Sequence, residues 1–243
     1  MKMKTIQLLA LAVVFSVMVC LGQKSGAQTN STSVMSTPPL TLDEEQAMYN
    51  ATVEDRVVKI MSALAVTDAD KSNRVHAAIL AQYHALHARD EAIDDALWNL
   101  SKGSSEWLAQ RNAMFPQMSQ PLHARFLALV SQDLTPDQLE TLKDKMTYGK
   151  VPFTYNAYCS ILPNLSDEDK GKVMDLLKQA REVAMDGGNS GEKIAIFQEY
   201  KNQINAYLAA KGFDVAKATQ AWSAQQAAKK ATATSPNGNT PTQ

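Results

Sequence analysis

Tyrosine, amide and lysine side chains are the residues of this sequence whose types and spacing could bind a carbohydrate. Pyranose rings stack on flat aromatic faces, while neighbouring amide and charged groups exchange hydrogen bonds with the sugar hydroxyls. Three tyrosines fall within residues 146–158. Lys201 and Asn205 are four residues apart and so share one face of a predicted helix. The candidate ligand-binding residues are Tyr148, Tyr155, Tyr158, Lys193, Lys201 and Asn205, with Trp107 as part of a second aromatic platform.

The aromatic residues also have a purely structural interpretation. A tyrosine often packs its ring in a core and leaves its hydroxyl at the surface. Trp98 and Trp107 flank the one Ser/Gly-rich loop, where they could bind a ligand or equally anchor the loop. The sequence therefore leaves open whether these aromatic clusters are core or cleft.

Histidine and cysteine residues give only weak signals of metal binding or nucleophilic catalysis. His84, His87 and Glu91 share one helix ridge, a spacing that metal ligands use. No HExxH motif or cysteine pair supports a metal site, so we interpret the ridge as a boundary between core and water. Cys159 is interpreted as a buried, inert thiol. The sequence predicts no metal ion and no other cofactor.

No catalytic signature is present in the sequence. It contains no G-x-S-x-G elbow, no phosphate-binding loop and no dinucleotide fingerprint. Adjacent acids such as Asp94 and Asp95 are typical of solvated helix faces. The sequence therefore favours a protein that is not an enzyme. A glycan-cleaving enzyme is the less favoured class, and it would need two carboxylates facing each other at roughly 5–10 Å.

Residues 1–27 have the organisation of a secretory signal peptide. Two early lysines precede the apolar residues 6–21, and small residues lead to a cleavage position after Ala27. The apolar run is shorter than the ~20 residues of a membrane span, so we expect export to the periplasm or beyond without a stable membrane span. Cys20 offers lipid attachment as an alternative, which the bulky Val19 before it disfavours.

The mature chain is mildly acidic and carries a single cysteine. Removing residues 1–27 leaves 216 residues, which is 243 less 27. Its 21 basic residues, 24 less three, face 25 acidic ones, a balance of −4. This balance gives no electrostatic reason to expect nucleic acid or an anionic membrane as a partner. Cys159 alone cannot form an internal disulfide, so an exported domain must rely on its apolar core.

Composition divides the chain into four segments. After the predicted signal peptide, residues 28–41 read as a flexible spacer, residues 42–228 as the folded body and residues 229–243 as a disordered tail. Apolar residues in the folded body recur every three or four positions, and no stretch alternates as strands do. The sequence therefore predicts an all-α, single helical-bundle-like domain of about seven to nine helices.

Capping residues and breakers predict where these helices begin and end. Pro116 and Pro121 predict breaks, and Gly149 predicts a helix end in the left-handed conformation. Gly187 and Gly188 are interpreted as a further helix C-cap. Helix starts are predicted at Thr52, Thr67, Thr135, Ser166 and Ser190.

Five stretches of the folded body together form a recognisable pattern. They are P-L-H-A-R-F (121–126), L-T-P-D-Q-L (134–139), M-T-Y-G-K-V-P-F-T-Y (146–155), A-R-E-V-A-M-D (180–186) and K-N-Q-I-N-A-Y-L-A-A-K-G-F-D (201–214). The pattern resembles a Bacteroidetes-centred family of secreted proteins catalogued as a domain of unknown function. The resemblance implies sugar binding and supplies no catalytic residues. With the tyrosines, it predicts an exported, carbohydrate-binding accessory protein of glycan utilisation.

A second resemblance gives an alternative function. Residues 134–138 fit once the L-T-x-x-Q motif of periplasmic helical chaperones. Because the same letters form a general helix start, the motif has little specificity. The alternative is a chaperone-like or envelope-stress interaction module.

Overall fold

A computed structural model describes residues 41–234. Within that range the chain forms eight helices and no strand, which confirms the predicted all-α, single helical-bundle-like domain. The predicted signal peptide, the spacer before Thr41 and the last part of the predicted tail, residues 235–243, lie outside the described residues. The helices are α1 (Leu42–Leu64), α2 (Ala69–Ala96), α3 (Ser105–Val130), α4 (Pro136–Met146), α5 (Lys150–Ile161), α6 (Asp167–Met185), α7 (Ser190–Ala210) and α8 (Val215–Thr234).

Side-chain caps fix the beginnings of most helices. Thr41 and Thr135 each form a capping box, in which Glu44 and Gln138 return the second hydrogen bond. Ser166 caps α6 as predicted, because its hydroxyl accepts a hydrogen bond from the third residue of the helix. Polar side chains at the N-termini therefore define where these helices begin through local hydrogen bonds alone.

Three predicted helix starts are displaced. Thr52 does not begin a helix: it lies inside α1, where its hydroxyl donates to the Met48 carbonyl oxygen at 2.8 Å. A hydroxyl can make this bond to the preceding turn as well as cap a helix start. The caps of α2 and α7 are Asp68 and Asn189, each one residue from the predicted position.

The prediction that Pro116 and Pro121 break the chain is wrong. Both lie inside α3, which runs through them. Each proline removes one backbone donor and weakens a helix. However, α3 packs along α2 and buries Trp107, Phe126 and Val130. Each large apolar side chain contributes about 1.5–3 kcal/mol on burial, which offsets the cost of the two prolines.

The last helix is mostly exposed and contacts α5 and α7. Its start is capped by Asp214, whose Oδ1 accepts a hydrogen bond from the Lys217 backbone at 2.9 Å. It continues past Lys229, where the tail is predicted to begin. No helix in the part of the chain described is long and apolar enough to cross a membrane.

Two large apolar clusters fill the domain, and the end of α6 belongs to both. One cluster joins α1, α2, α3 and α4 and includes Met185. The other joins α5, α6 and α7 and includes Ala184. A third, smaller cluster of Ile93, Leu97 and Trp107 anchors the loop between α2 and α3. The turn between α6 and α7 therefore starts where the two main cores meet.

Candidate functional site

The tyrosine segment is only partly open to solvent. Tyr158 is 5% exposed, and its hydroxyl donates to Asn205 Oδ1 at 2.7 Å and lies 3.4 Å from the Lys201 carbonyl oxygen. Tyr155 packs half-buried against the same core. Tyr148 is 49% exposed and has a φ of 60° beside Gly149. The structure thus brings the side chains of Tyr158 and Asn205 together beside the Lys201 backbone, whereas the Lys201 amine donates to Gln198 Oε1 at 3.2 Å. Tyr148 lies apart at the turn.

The other two predicted ligand-binding residues are buried elsewhere. Lys193 is 1% exposed, and its Nζ donates to the carbonyl oxygens of Ala184 at 2.8 Å and Met185 at 3.2 Å. Trp107 is buried in the cluster below the α2–α3 loop. Neither side chain can contact a ligand in this conformation without moving. A binding role for the seven residues stays a prediction.

The histidine ridge of α2 packs against α1. The Tyr49 ring stacks on His87 with centroids 4.2 Å apart and meets His84 edge-on at 5.7 Å. His87 Nε2 lies 3.5 Å from Glu91. Between residues 41 and 230, no group of three or more His, Cys, Asp or Glu residues is placed to hold a metal ion.

A buried arginine lies beside the α6–α7 turn. Arg89 is 3% exposed. Its guanidinium donates to Ser119 Oγ at 2.8 Å and to the Asp186 carbonyl oxygen at 2.7 Å. The other nitrogens of the group donate to Asp90 Oδ1 at 3.1 and 2.7 Å. The group also lies 4.3 Å above the Phe115 ring. One side chain therefore joins α2, α3 and the end of α6.

Arg89 and Lys193 together satisfy the last carbonyl groups of α6. A helix end leaves such carbonyls without partners inside the helix. Arg89 donates a hydrogen bond to the Asp186 carbonyl oxygen, and Lys193 donates to the carbonyl oxygens of Ala184 and Met185. Burial lowers the pKa of Lys193 to about 8, although the negative charge of Asp186 acts in the opposite direction and raises this pKa. Two buried cations therefore hold the α6–α7 turn.

His123 lies between two carboxylates on α6. Its Nδ1 is 3.0 Å from Asp186 Oδ1, and its Nε2 is 3.6 Å from Glu182 Oε2. The bonds to Asp186 and then Glu182 raise the pKa of His123 to about 9. Burial opposes the ionisation of Glu182, but His123 and Lys143 outweigh it and hold the Glu182 pKa at about 2. Both groups keep fixed charges near neutral pH, which suits binding better than proton transfer.

Ion pairs between α4 and α6 position Glu182. Lys143 Nζ contacts both Glu182 oxygens at 3.0 and 2.9 Å. The neighbouring Arg181 is buried and contacts Asp144 at 2.6 Å and Glu140 at 2.7 Å. These contacts restrict the rotation of the α6 side chains beside His123.

An open groove runs between α3 and the helices α6 and α7. Its first part has a volume of about 330 Å³ and its second part about 490 Å³. The two parts share Phe115, Pro116 and Val183, so we treat them as one surface, the α3–α6–α7 groove. Its apolar lining consists of Phe115, Pro116, Val183, Ala195 and Ile196. Its polar lining consists of Arg111, Asn112, Ser119, Gln120, His123, Glu182, Asp186, Glu192 and Glu199.

The polar residues of the groove fall into two groups. Some are already paired, as Arg111 is with Glu192. Asn112, Gln120 and Glu199 are exposed, and their side chains make no hydrogen bond or ion pair with any other described residue. The groove thus contains amide and carboxylate groups without hydrogen-bond partners in the described chain beside its apolar lining, which we call the apolar floor.

Sequence reasoning missed Arg89 and Asp186 beside the α6–α7 turn, although one signal was present. Arg89 lies three residues after Leu86 and four before Ile93, on the apolar stripe of α2. A charged residue on such a stripe must be paired if it is buried. Asp186 carried no comparable signal, because its partners lie on other helices.

The charge state of His123 predicts how stability depends on pH. Its pKa is about 9 in the folded protein and 6.5 unperturbed, so the folded state binds the proton more tightly. That stabilisation is complete below about pH 6.5 and is lost as pH rises through 9. We expect the free energy of unfolding to fall by about 1–2 kcal/mol between about pH 6 and 8.

Urea denaturation at several pH values measures this effect, with His123→Gln as the control that cannot titrate. The Lys193 pKa of about 8 produces the opposite slope only above that pH, so the lower range isolates His123. Parallel pH profiles for the wild type and His123→Gln would contradict the assignment.

A family model described as a protein of unknown function (DUF3826) matches residues 50–228 of the chain. The matched span includes every residue of the α3–α6–α7 groove and both buried cations. No curated protein matches the chain in sequence.

Proposed function

We propose that this chain, which belongs to the DUF3826 family of proteins of unknown function, is a carbohydrate-binding protein. Its ligand binds in the α3–α6–α7 groove. The proposal includes export and a role as a non-enzymatic accessory of glycan utilisation. Export rests on the signal-peptide features of residues 1–27.

The observation that carries the proposal is the pairing of an apolar floor with unused polar groups. Val183 is 41% exposed and lies with Phe115 and Pro116 along the middle of the groove. Sugars present apolar CH faces and a ring of hydroxyls, so they need such a floor together with hydrogen-bonding groups at its edge. Gln120 and Asn112 can each donate and accept hydrogen bonds.

The size and the charge states of the groove support a ligand-binding role. Its two parts, about 330 and 490 Å³, fall within the range of roughly 300–1,000 Å³ typical of small-molecule sites. The two ring nitrogens of His123 both face carboxylates, so neither is free to accept a proton from a substrate. Glu182 stays ionised for the reason given above and cannot act as a general acid.

A thermal-shift screen against plant and host glycan fragments tests the proposal. At about ten times the dissociation constant, a ligand adds about 1.4 kcal/mol of stability. For a domain of this size we expect the melting temperature to rise by about 3–6 °C. Gln120→Ala should weaken binding by about 3–10-fold, the loss of about one hydrogen bond. Gln117→Ala is the matched control, because Gln117 is exposed on the same helix outside the groove.

The screen has two outcomes that count against the groove. No stabilisation by any fragment of a broad panel would contradict carbohydrate binding itself. A response lost in Tyr155→Ala but kept in Gln120→Ala would move the ligand to the tyrosine segment predicted from the sequence.

A further inference from the structure

A separate pocket lies between α1, α2 and the α6–α7 turn. Its volume is about 380 Å³, and it shares no lining residue with the α3–α6–α7 groove. Thr52 and Arg56 line it from α1, Asp90 from α2, and Gly188 and Asn189 from the turn. The pocket therefore gathers polar groups from three parts of the chain that are distant in sequence.

Two of the three carboxylates of this pocket are paired with permanently charged groups. Each of the three acidic side chains that α2 contributes lies beside a basic group from α2 or the following loop. The charges of Asp90 and Asp94 are therefore compensated within the protein, whereas His87 compensates Glu91 only when it is protonated. The pairs are Asp90–Arg89 at 2.7 Å, Glu91–His87 at 3.5 Å and Asp94–Lys102 at 2.5 Å.

Arg56 is the basic residue of the pocket that lacks such a partner. Its side chain is half-buried, and it forms neither a hydrogen bond nor an ion pair with the residues that the structure describes. The positive charge of Arg56 affects the pKa values of two nearby groups. Burial lowers the pKa of Lys193, and Arg56 adds to that effect. Burial likewise raises the pKa of Tyr83 to about 12, while Arg56 opposes the rise. The pocket thus contains one guanidinium that no carboxylate of the described chain contacts.

We propose that this pocket binds a small hydroxylated carboxylate, the chemistry shared by sugar acids and hydroxy acids, with the guanidinium of Arg56 holding the carboxylate. A planar guanidinium matches a carboxylate with two parallel hydrogen bonds. A doubly charged phosphate would need a second unpaired cation, and Arg89 and Lys102 beside the pocket are already paired with Asp90 and Asp94. The proposal does not depend on carbohydrate binding in the groove.

Two further polar atoms account for the hydroxyl groups of the ligand. Asp90 uses Oδ1 for both bonds from Arg89, and its Oδ2 accepts no hydrogen bond from the described chain. Asn189 uses its Oδ1 to cap α7 at 3.0 Å from the Glu192 nitrogen, which leaves its amide nitrogen to donate. One acceptor and one donor therefore lie in the same pocket as the arginine.

Calorimetric titration of the full chain with galacturonate, gluconate, galactose and inorganic phosphate tests the proposal. We expect galacturonate or gluconate to bind and galactose, which lacks the carboxylate, to bind at least about 10-fold more weakly. Binding of galacturonate alone identifies a cyclic sugar acid as the source, and binding of both acids shows that an open-chain hydroxy acid also fits the pocket. Phosphate binding more tightly than either acid, or no binding by either acid, would overturn it.

Variants of Arg56 localise the effect. Arg56→Gln should weaken acid binding by about 10- to 100-fold, since a charge-assisted pair is lost. Arg56→Lys keeps the charge without the planar fork and should fall between that variant and the wild type. Arg125→Gln is the matched control, an exposed arginine of α3 outside the pocket. Unchanged binding in Arg56→Gln, with an unchanged melting temperature in the absence of ligand, would overturn the assignment.

Discussion

The Arg89→Met variant is expected to lose about 3–5 kcal/mol of its free energy of unfolding. Methionine keeps most of the buried volume but donates no hydrogen bond. The substitution leaves the Asp186 carbonyl and the Asp90 carboxylate without the guanidinium that now contacts them at 2.7 Å each. Removing one member of a buried ion pair costs far more than removing an exposed one, because the partner is left uncompensated.

Urea denaturation of Arg89→Met beside Arg74→Met isolates the effect of burial. Arg74 also makes two bonds to an aspartate, at 2.9 and 2.6 Å to Asp133, but its side chain is 59% exposed. We expect the Arg74 variant to be close to the wild type. If both variants lose equally little stability, Arg89 does not hold the α6–α7 turn as described.

Gly188→Ala is expected to destabilise the protein by about 1–3 kcal/mol through overpacking. A Cβ atom at this position would lie 1.8 Å from Asp90 Oδ2 and 3.0 Å from its Cγ. Asp90 would have to move away, and Arg89 would lose its paired carboxylate. Glycine is therefore favoured here because the Asp90 carboxylate lies directly against the turn.

Gly171→Ala provides the control of opposite sign. Gly171 lies in α6, and a Cβ added there meets nothing within 4 Å. Alanine is favoured over glycine in a helix by about 1 kcal/mol, so this variant should be more stable than the wild type. Equal melting temperatures for Gly188→Ala and the wild type would show that Asp90 can move without cost.

The helical architecture could be predicted because its signals are local. Thr135 and Ser166 cap helices in the structure as their sequence contexts indicate. Gly149 adopts a left-handed φ of 63° after α4, as expected for a residue that ends a helix. The two prolines of α3 were misleading, because packing against α2 overrides their local effect.

The surroundings of the α6–α7 turn could not be predicted, because they depend on distant contacts. Arg89 bonds the backbone of Asp186, which lies on another helix. Lys193 is charged and its residue type predicts ligand binding, yet its side chain folds inward onto the end of α6. Tyr158 follows the structural interpretation of the aromatic residues, because its ring packs in the core and its hydroxyl donates to Asn205.

The most direct test of carbohydrate binding in the α3–α6–α7 groove is an NMR titration of isotope-labelled protein with the best sugar from the thermal screen. We expect the largest shifts in the side-chain amides of Asn112 and Gln120, which have no partner among the residues that the structure covers. The Gln117 amide should stay unchanged. Shifts confined to residues 148–158, or none near the groove at saturating sugar, would contradict the proposed site.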